Sequence, residues 1–74
     1  MQYRSVSSSS IAEVGYNREV AVLAVRFHNG AEYRYFGVPE HVFQGFLQAS
    51  SAGGYFHERV RNAGFRYEQS GGSS

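Results

Sequence analysis

Residues 23–47, LAVRFHNGAEYRYFGVPEHVFQGFL, pass without interruption from an alternating apolar pattern, through an Asn-Gly turn, into an amphipathic helix. This stretch decides most of the fold. A two-residue loop at Asn29-Gly30 would pair His28 with Ala31, setting Leu23, Val25 and Phe27 on one face with Glu32, Arg34 and Phe36, which buries charge or exposes the core. A three-residue loop, His28-Asn29-Gly30 with Gly30 left-handed, instead pairs Phe27 with Ala31, Val25 with Tyr33 and Leu23 with Tyr35. Only the second register is coherent. It leaves Arg26 opposite Glu32 on the other face, where a cross-strand ion pair contributes about 0.2 to 1 kcal/mol.

Upstream, residues 11–16 read as a strand closed by Asn17, Arg18 and Glu19, and residues 20–27 are a β-branched run that pairs back on it. Ile11, Val14 and Tyr16 do not keep a period of two, and Gly15 is the expected bulge. Downstream, Gly37-Val38-Pro39 ends the meander. Pro39 at the first helical position and Glu40 behind it start a short helix with an apolar stripe of Val42, Phe43, Phe46 and Leu47. Gly45 within it costs about 1 kcal/mol against Ala and permits a close approach. Ser50 or Ser51 caps a second helix that runs through Gly53-Gly54 to about residue 62, with Phe56 and Val60 as its buried pair. After Asn62-Ala63-Gly64, residues 65–67 return as an extended segment able to add a short edge strand. The expectation is an α+β fold, a three-stranded antiparallel meander followed by two helices packed on one face. Residues 1–10 read as a flexible Ser-rich segment with an extended stretch near Arg4 to Val6, 11–68 as a single domain and 69–74 as a flexible tail.

A chain of 74 residues buries only about 60% of its unfolded surface, so six Phe and six Tyr carry much of the stabilising area. Without cysteine there is neither a disulfide nor a thiolate metal site, and packing must suffice, alone or with a partner chain. The longest aliphatic run, residues 20–25, is far short of the roughly 20 residues that cross a bilayer, and MQYRSVSSSS lacks the apolar stretch of a secretory signal. A soluble, cytoplasmic protein without a membrane partner is expected. Seven Arg against six Glu, with no Lys or Asp, give a charge of +1, short of the broad basic footprint of sequence-independent nucleic-acid binding.

No reactive constellation stands out. His28 falls in a turn, His41 in the first helix and His57 in the second, without ligand spacing, so neither metal nor cofactor is expected. The serines fit a linker and helix caps, with no Gly-x-Ser-x-Gly elbow and no Ser-x-x-Lys pair, so neither an enzyme nor a small-molecule substrate is indicated. Tyr33-Arg34-Tyr35-Phe36 has the look of a base-stacking strand. The hairpin register, however, turns both tyrosines toward the core with their hydroxyls at its rim. Arg26, Arg34 and Phe36, on the opposite face with Val22 and Ala24, are the better candidate contacts to a partner. A second candidate is the C-terminal segment, where Arg59, Arg61 and Arg66 meet only Glu58 and Glu68, with Tyr55 and Tyr67 nearby.

Taken in order, SSIAEVGY at residues 9–16, Leu23, Val25 and Phe27, Gly30, Tyr33 and Tyr35, Val38-Pro39, Val42-Phe43, Ala49-x-Ser51-x-Gly53, Tyr55-Phe56 and Val60-Arg61 resemble the KTSC family. This is a small domain found alone in bacterial proteins and at the C-terminus of some lysyl-tRNA synthetases. The resemblance marks Tyr33, Tyr35, Pro39, Ser51 and Gly53 as motif residues, expected to be structural. Departures are His57, where the family often has Asn, and Phe43, where Tyr is common. It implies a non-enzymatic binding module with RNA as the expected partner. The competing class is a protein-interaction or self-association module using the open sheet face and edge strands.

Overall fold

In the computed structural model, which describes residues 2–71, the chain runs β1 (Tyr3–Ser5), β2 (Ile11–Asn17), β3 (Val22–Phe27), β4 (Glu32–Phe36), α1 (Glu40–Gln48), α2 (Ala52–Phe56), a π-helical turn (His57–Arg61) and β5 (Arg66–Gly71). The five strands form one antiparallel sheet in chain order. Its central hairpin has the register that burial demands: Leu23 faces Tyr35, Val25 faces Tyr33 and Arg26 faces Glu32. The Phe27 N–H donates to the Ala31 carbonyl at 2.9 Å, Gly30 sits at φ 95°, and Asn29 Oδ1 accepts the Ala31 N–H at 2.9 Å. The loop is thus the three-residue form with a left-handed third residue.

The sheet has five strands rather than three, because contacts from outside the local sequence order both ends. β1 lies within the segment expected to be flexible, yet Tyr3, Arg4 and Ser5 pair with Gly15, Val14 and Glu13. Tyr3 pins it. Its hydroxyl donates to Glu32 Oε2 at 2.6 Å, and the Arg26 guanidinium carbon stands 3.8 Å from its ring centroid. β5 takes in the expected edge segment and continues to Gly71, three residues into the segment expected to be a flexible tail. Residues 72–74 of that segment lie outside the described residues.

Two local expectations shift. The β2 bulge falls at Ala12, between the Ile11 and Glu13 pairings, while Gly15 pairs regularly with Ala24. An extra residue there lets Ile11 and Val14, three apart in sequence, both turn fully into the core. β3 begins at Val22 rather than Val20, since residues 18–21 form the turn, with Ala21 left-handed at φ 56° and Val20 61% exposed.

Both helices pack on the face of Leu23 and Val25, joining Ile11, Val14, Val38, Phe46 and Val60 in a core from which water is excluded. Pro39 is the N-cap and not the first helical residue, so α1 starts one residue later than expected, and it buries Val42 and Phe46. Its stripe is narrower than the pattern suggests: Phe43 is half-buried, stacked on Tyr16 at 5.5 Å, and Leu47 is exposed at the helix end. Ser51 caps α2, its Oγ accepting the Gly54 N–H at 3.3 Å. The helix then widens, and the Asn62 N–H reaches back five residues to the His57 carbonyl at 3.0 Å. This keeps Phe56 and Val60 buried while His57 and Arg61 stay exposed.

Candidate functional site

The sheet face away from the helices carries Arg26, Arg34 and Phe36 as expected, but its charges are spent on one another. Arg26 donates to Glu32 at 2.9 Å and to Glu13 at 3.1 Å, and Arg34 stands 3.9 Å from Glu32. In register, Arg34 faces Glu68, and Arg66 faces the half-buried Phe36. Burial alone would push the Glu32 pKa up, yet the Tyr3 hydroxyl and Arg26 outweigh it and hold this carboxyl below its ordinary value. The Tyr3 hydroxyl is raised, by burial first and by Glu32 second. Ala24 is fully buried on this face although no helix covers it, so the face is a self-neutralised lattice over small residues and not an apolar patch.

The other face is covered only in part. Beyond the helices, at the β4–β5 end, lies a groove of about 850 Å³ with a floor of aromatic rings. These rings close a circuit: Phe27 to Phe56 at 5.6 Å, Phe56 to Tyr35 at 5.6 Å, Tyr35 to Tyr67 at 5.3 Å, Tyr67 to Tyr33 at 6.0 Å and Tyr33 to Phe27 at 5.9 Å. Packed edge to face or tilted, they offer a continuous π surface. The rim is polar, formed by residues 7–10, Ser50, Ser51, Gly53 and Gly54, with His57 and Arg61 on the helical side. Ser8 holds the serine loop in shape, its Oγ accepting from the N–H of Ser10 at 3.2 Å and of Ile11 at 3.1 Å. Among the described residues, no carboxylate lines the groove.

The tyrosines divide into two sets. Tyr3, Tyr16 and Tyr55 donate to Glu32, to the Val38 carbonyl and to the Val42 carbonyl, respectively. Tyr33, Tyr35 and Tyr67 instead all line the groove. Tyr35 is buried to 6% exposure as expected of a core residue, and Tyr33 is half-buried, whereas Tyr67 is 59% exposed. Burial raises the Tyr35 pKa, Tyr67 adds to the rise, and the nearby Arg61 charge opposes it.

Of the motif residues, Tyr33, Tyr35, Ser51 and Gly53 meet at the groove, while Pro39 stays apart as the cap of α1. The C-terminal arginines do not form one cluster. Arg61 lines the groove, Arg59 borders a shallow hollow with Ser51 and Tyr55, and Arg66 lies on the neutralised sheet face. Sequence reasoning missed Phe27, Phe56, Phe65, His57 and the serine loop as one lining. Its only legible signal was the face shared by Phe27, Tyr33 and Tyr35. Among the described residues, no group of three or more His, Asp or Glu side chains could hold a metal, and no helix is long and apolar enough to cross a membrane.

The sequence profile of the KTSC domain matches residues 7–67, a span that takes in the serine loop, the aromatic floor and the helical rim. The chain belongs to the KTSC domain family. A KTSC domain protein from Yersinia pestis, whose crystal structure is known, superposes with a TM-score of 0.85 at 36% identity, over 95% of this chain and 97% of that one. An uncharacterized protein of Stutzerimonas stutzeri is 39% identical over 67 residues, 90% of this chain and 94% of its own. A lysine–tRNA ligase of Trichormus variabilis is 38% identical over 61 residues, 82% of this chain but only 11% of the ligase. The KTSC fold therefore occurs both as nearly a whole small protein and as a minor part of a large one.

Proposed function

We propose that this KTSC domain is a non-enzymatic cytoplasmic binding module that takes single-stranded RNA in the aromatic groove. One observation carries the reading: a π floor bearing the hydroxyls of Tyr33, Tyr35 and Tyr67, an Arg and a His on the rim, and no carboxylate among the described lining residues. Bases stack on such floors whatever their identity, and a guanidinium and serine hydroxyls suit phosphate and ribose. The volume lies within the range of about 300 to 1,000 Å³ typical of ligand sites, enough for a short segment and not for a duplex. The kinship with a protein named for joining lysine to tRNA agrees with this partner class. On the opposite sheet face, Arg26 and Arg34 are engaged by glutamates, which disfavours that face for a polyanion.

The test is titration of a labelled single-stranded RNA at two salt concentrations. Tyr67→Ala is expected to remove about 1 to 3 kcal/mol of affinity for each base stacked while changing the melting temperature little. Arg61→Gln is expected to lower the salt slope by about one. A folded wild-type domain indifferent to RNA at low salt would sink the proposal.

A further inference from the structure

We propose that a second copy of this chain adds to the outer edge of β5, in antiparallel register about a two-fold axis through Tyr67. Among the described residues β5 ends the sheet, six residues long without Pro or Lys, and β4 pairs along one of its edges. Such an edge is a template for another strand; the bulge opposite Glu32 and Tyr33 limits it to the regular stretch of residues 66–69, and the charges on that stretch select which strand it accepts. β1, at the opposite end, spans only three residues.

The side chains select the occupant. Arg66 and Glu68 share the sheet face away from the helices, flanking Tyr67, which points to the groove side. Centring the pair on Tyr67 sets Arg66 against Glu68 of the second copy and Glu68 against its Arg66, two symmetric ion pairs made by one strand with itself. Sliding the register two residues either way sets Arg66 against Arg66 or Glu68 against Glu68, so charge also fixes the alignment. Glu68 already faces Arg34 across β4, and the pairing extends that alternation of charge into the neighbouring sheet. On the groove side, the exposed Tyr67 ring meets its twin, and the two aromatic floors join across the axis. A single strand pair is a small interface of the weak class, so a concentration-dependent dimer is expected.

Light scattering and sedimentation over a dilution series test this on the full chain. The wild type is expected to dimerise at high concentration. R66E and E68R, each confirmed as folded by circular dichroism, are expected to weaken it by about tenfold or more, since each sets like charges together twice. Mixed in equal amounts, these two variants are expected to recover a dimer, because every cross-strand pair is then of opposite sign. Should E68R fail to fold, its new charge facing Arg34, the comparison of wild type with R66E still decides. A wild type monomeric at the highest concentration, with or without RNA, or an R66E dimer as tight as the wild type, overturns the proposal.

Discussion

The Tyr55 ring fills the space that a side chain on Gly45 would occupy, and its hydroxyl donates to the Val42 carbonyl at 2.8 Å. Gly45→Ala should therefore destabilise the domain by about 1 to 3 kcal/mol through overpacking, although helix propensity alone would gain about 1 kcal/mol. In a Tyr55→Ala background the sign should reverse, because the obstruction is gone. Urea melts of the two single variants and the double variant measure this coupling.

Phe46 is 1% exposed and meets Tyr55 at 4.7 Å, whereas Phe43 is half-buried against Tyr16. Phe46→Ala is expected to cost about 3 to 5 kcal/mol, enough to unfold much of so small a domain. Phe43→Ala should cost about 1 to 2 kcal/mol, in proportion to its smaller burial. Equal losses in denaturant melts would contradict this placement.

A Cβ on Gly30 would meet nothing within 4 Å, so the cost of substitution there comes from the backbone alone, at φ 95°. Gly30→Val should lose at least about 1 to 2 kcal/mol, and Gly30→Asn clearly less. Thermal melting compares them. A valine variant as stable as the parent would mean that the hairpin loop can be rebuilt without positive φ.

Stability should fall at both ends of the pH scale, for opposite reasons. Glu32 titrates below its ordinary value when folded, so its contribution is present above the ordinary carboxylate range and is lost as pH falls through the folded value. Tyr3, Tyr16, Tyr35 and Tyr55 are raised, in each case by burial first, so their contribution is intact below 10.0 and is lost as pH rises through the folded values. Glu32→Gln should flatten the acid limb and, because Glu32 also helps to raise Tyr3, soften the alkaline limb to a smaller extent. In the wild type, alkaline phenolate absorbance should rise together with loss of the circular dichroism signal, and rigid titration at ordinary values would refute this.

The β3–β4 hairpin and both helices were legible because local signals agree there: Asn29-Gly30, strict alternation, Pro39 and the serine caps all point to one arrangement. β1 was legible only as an extended stretch near residues 4–6; its place in the sheet was not, since Arg4 and Ser5 carry no strand pattern and order comes from Tyr3 reaching Arg26 and Glu32, far along the chain. The bulge was assigned to Gly15 on residue type, while the spacing of Ile11 and Val14 set it at Ala12. The groove escaped for a further reason. Tyr33 and Tyr35 were correctly turned to the core face, but where the helices stop covering that face depends on packing, as does the return of Tyr67 beside them.

Because neighbouring strands follow chain order, β1 to β4 close through short turns, whereas β5 must wait for residues 37–65 to be placed. Loop closure and contact order make the four-stranded meander the early product of folding and the docking of β5 a late one. The aromatic floor needs Tyr67 beside Tyr33 and Tyr35, so the groove is among the last features to exist as the chain folds. Peeling β5 away, the reverse of that step, would dismantle the groove and leave the meander standing, and amide exchange should find β5 opening at lower free energy than β3.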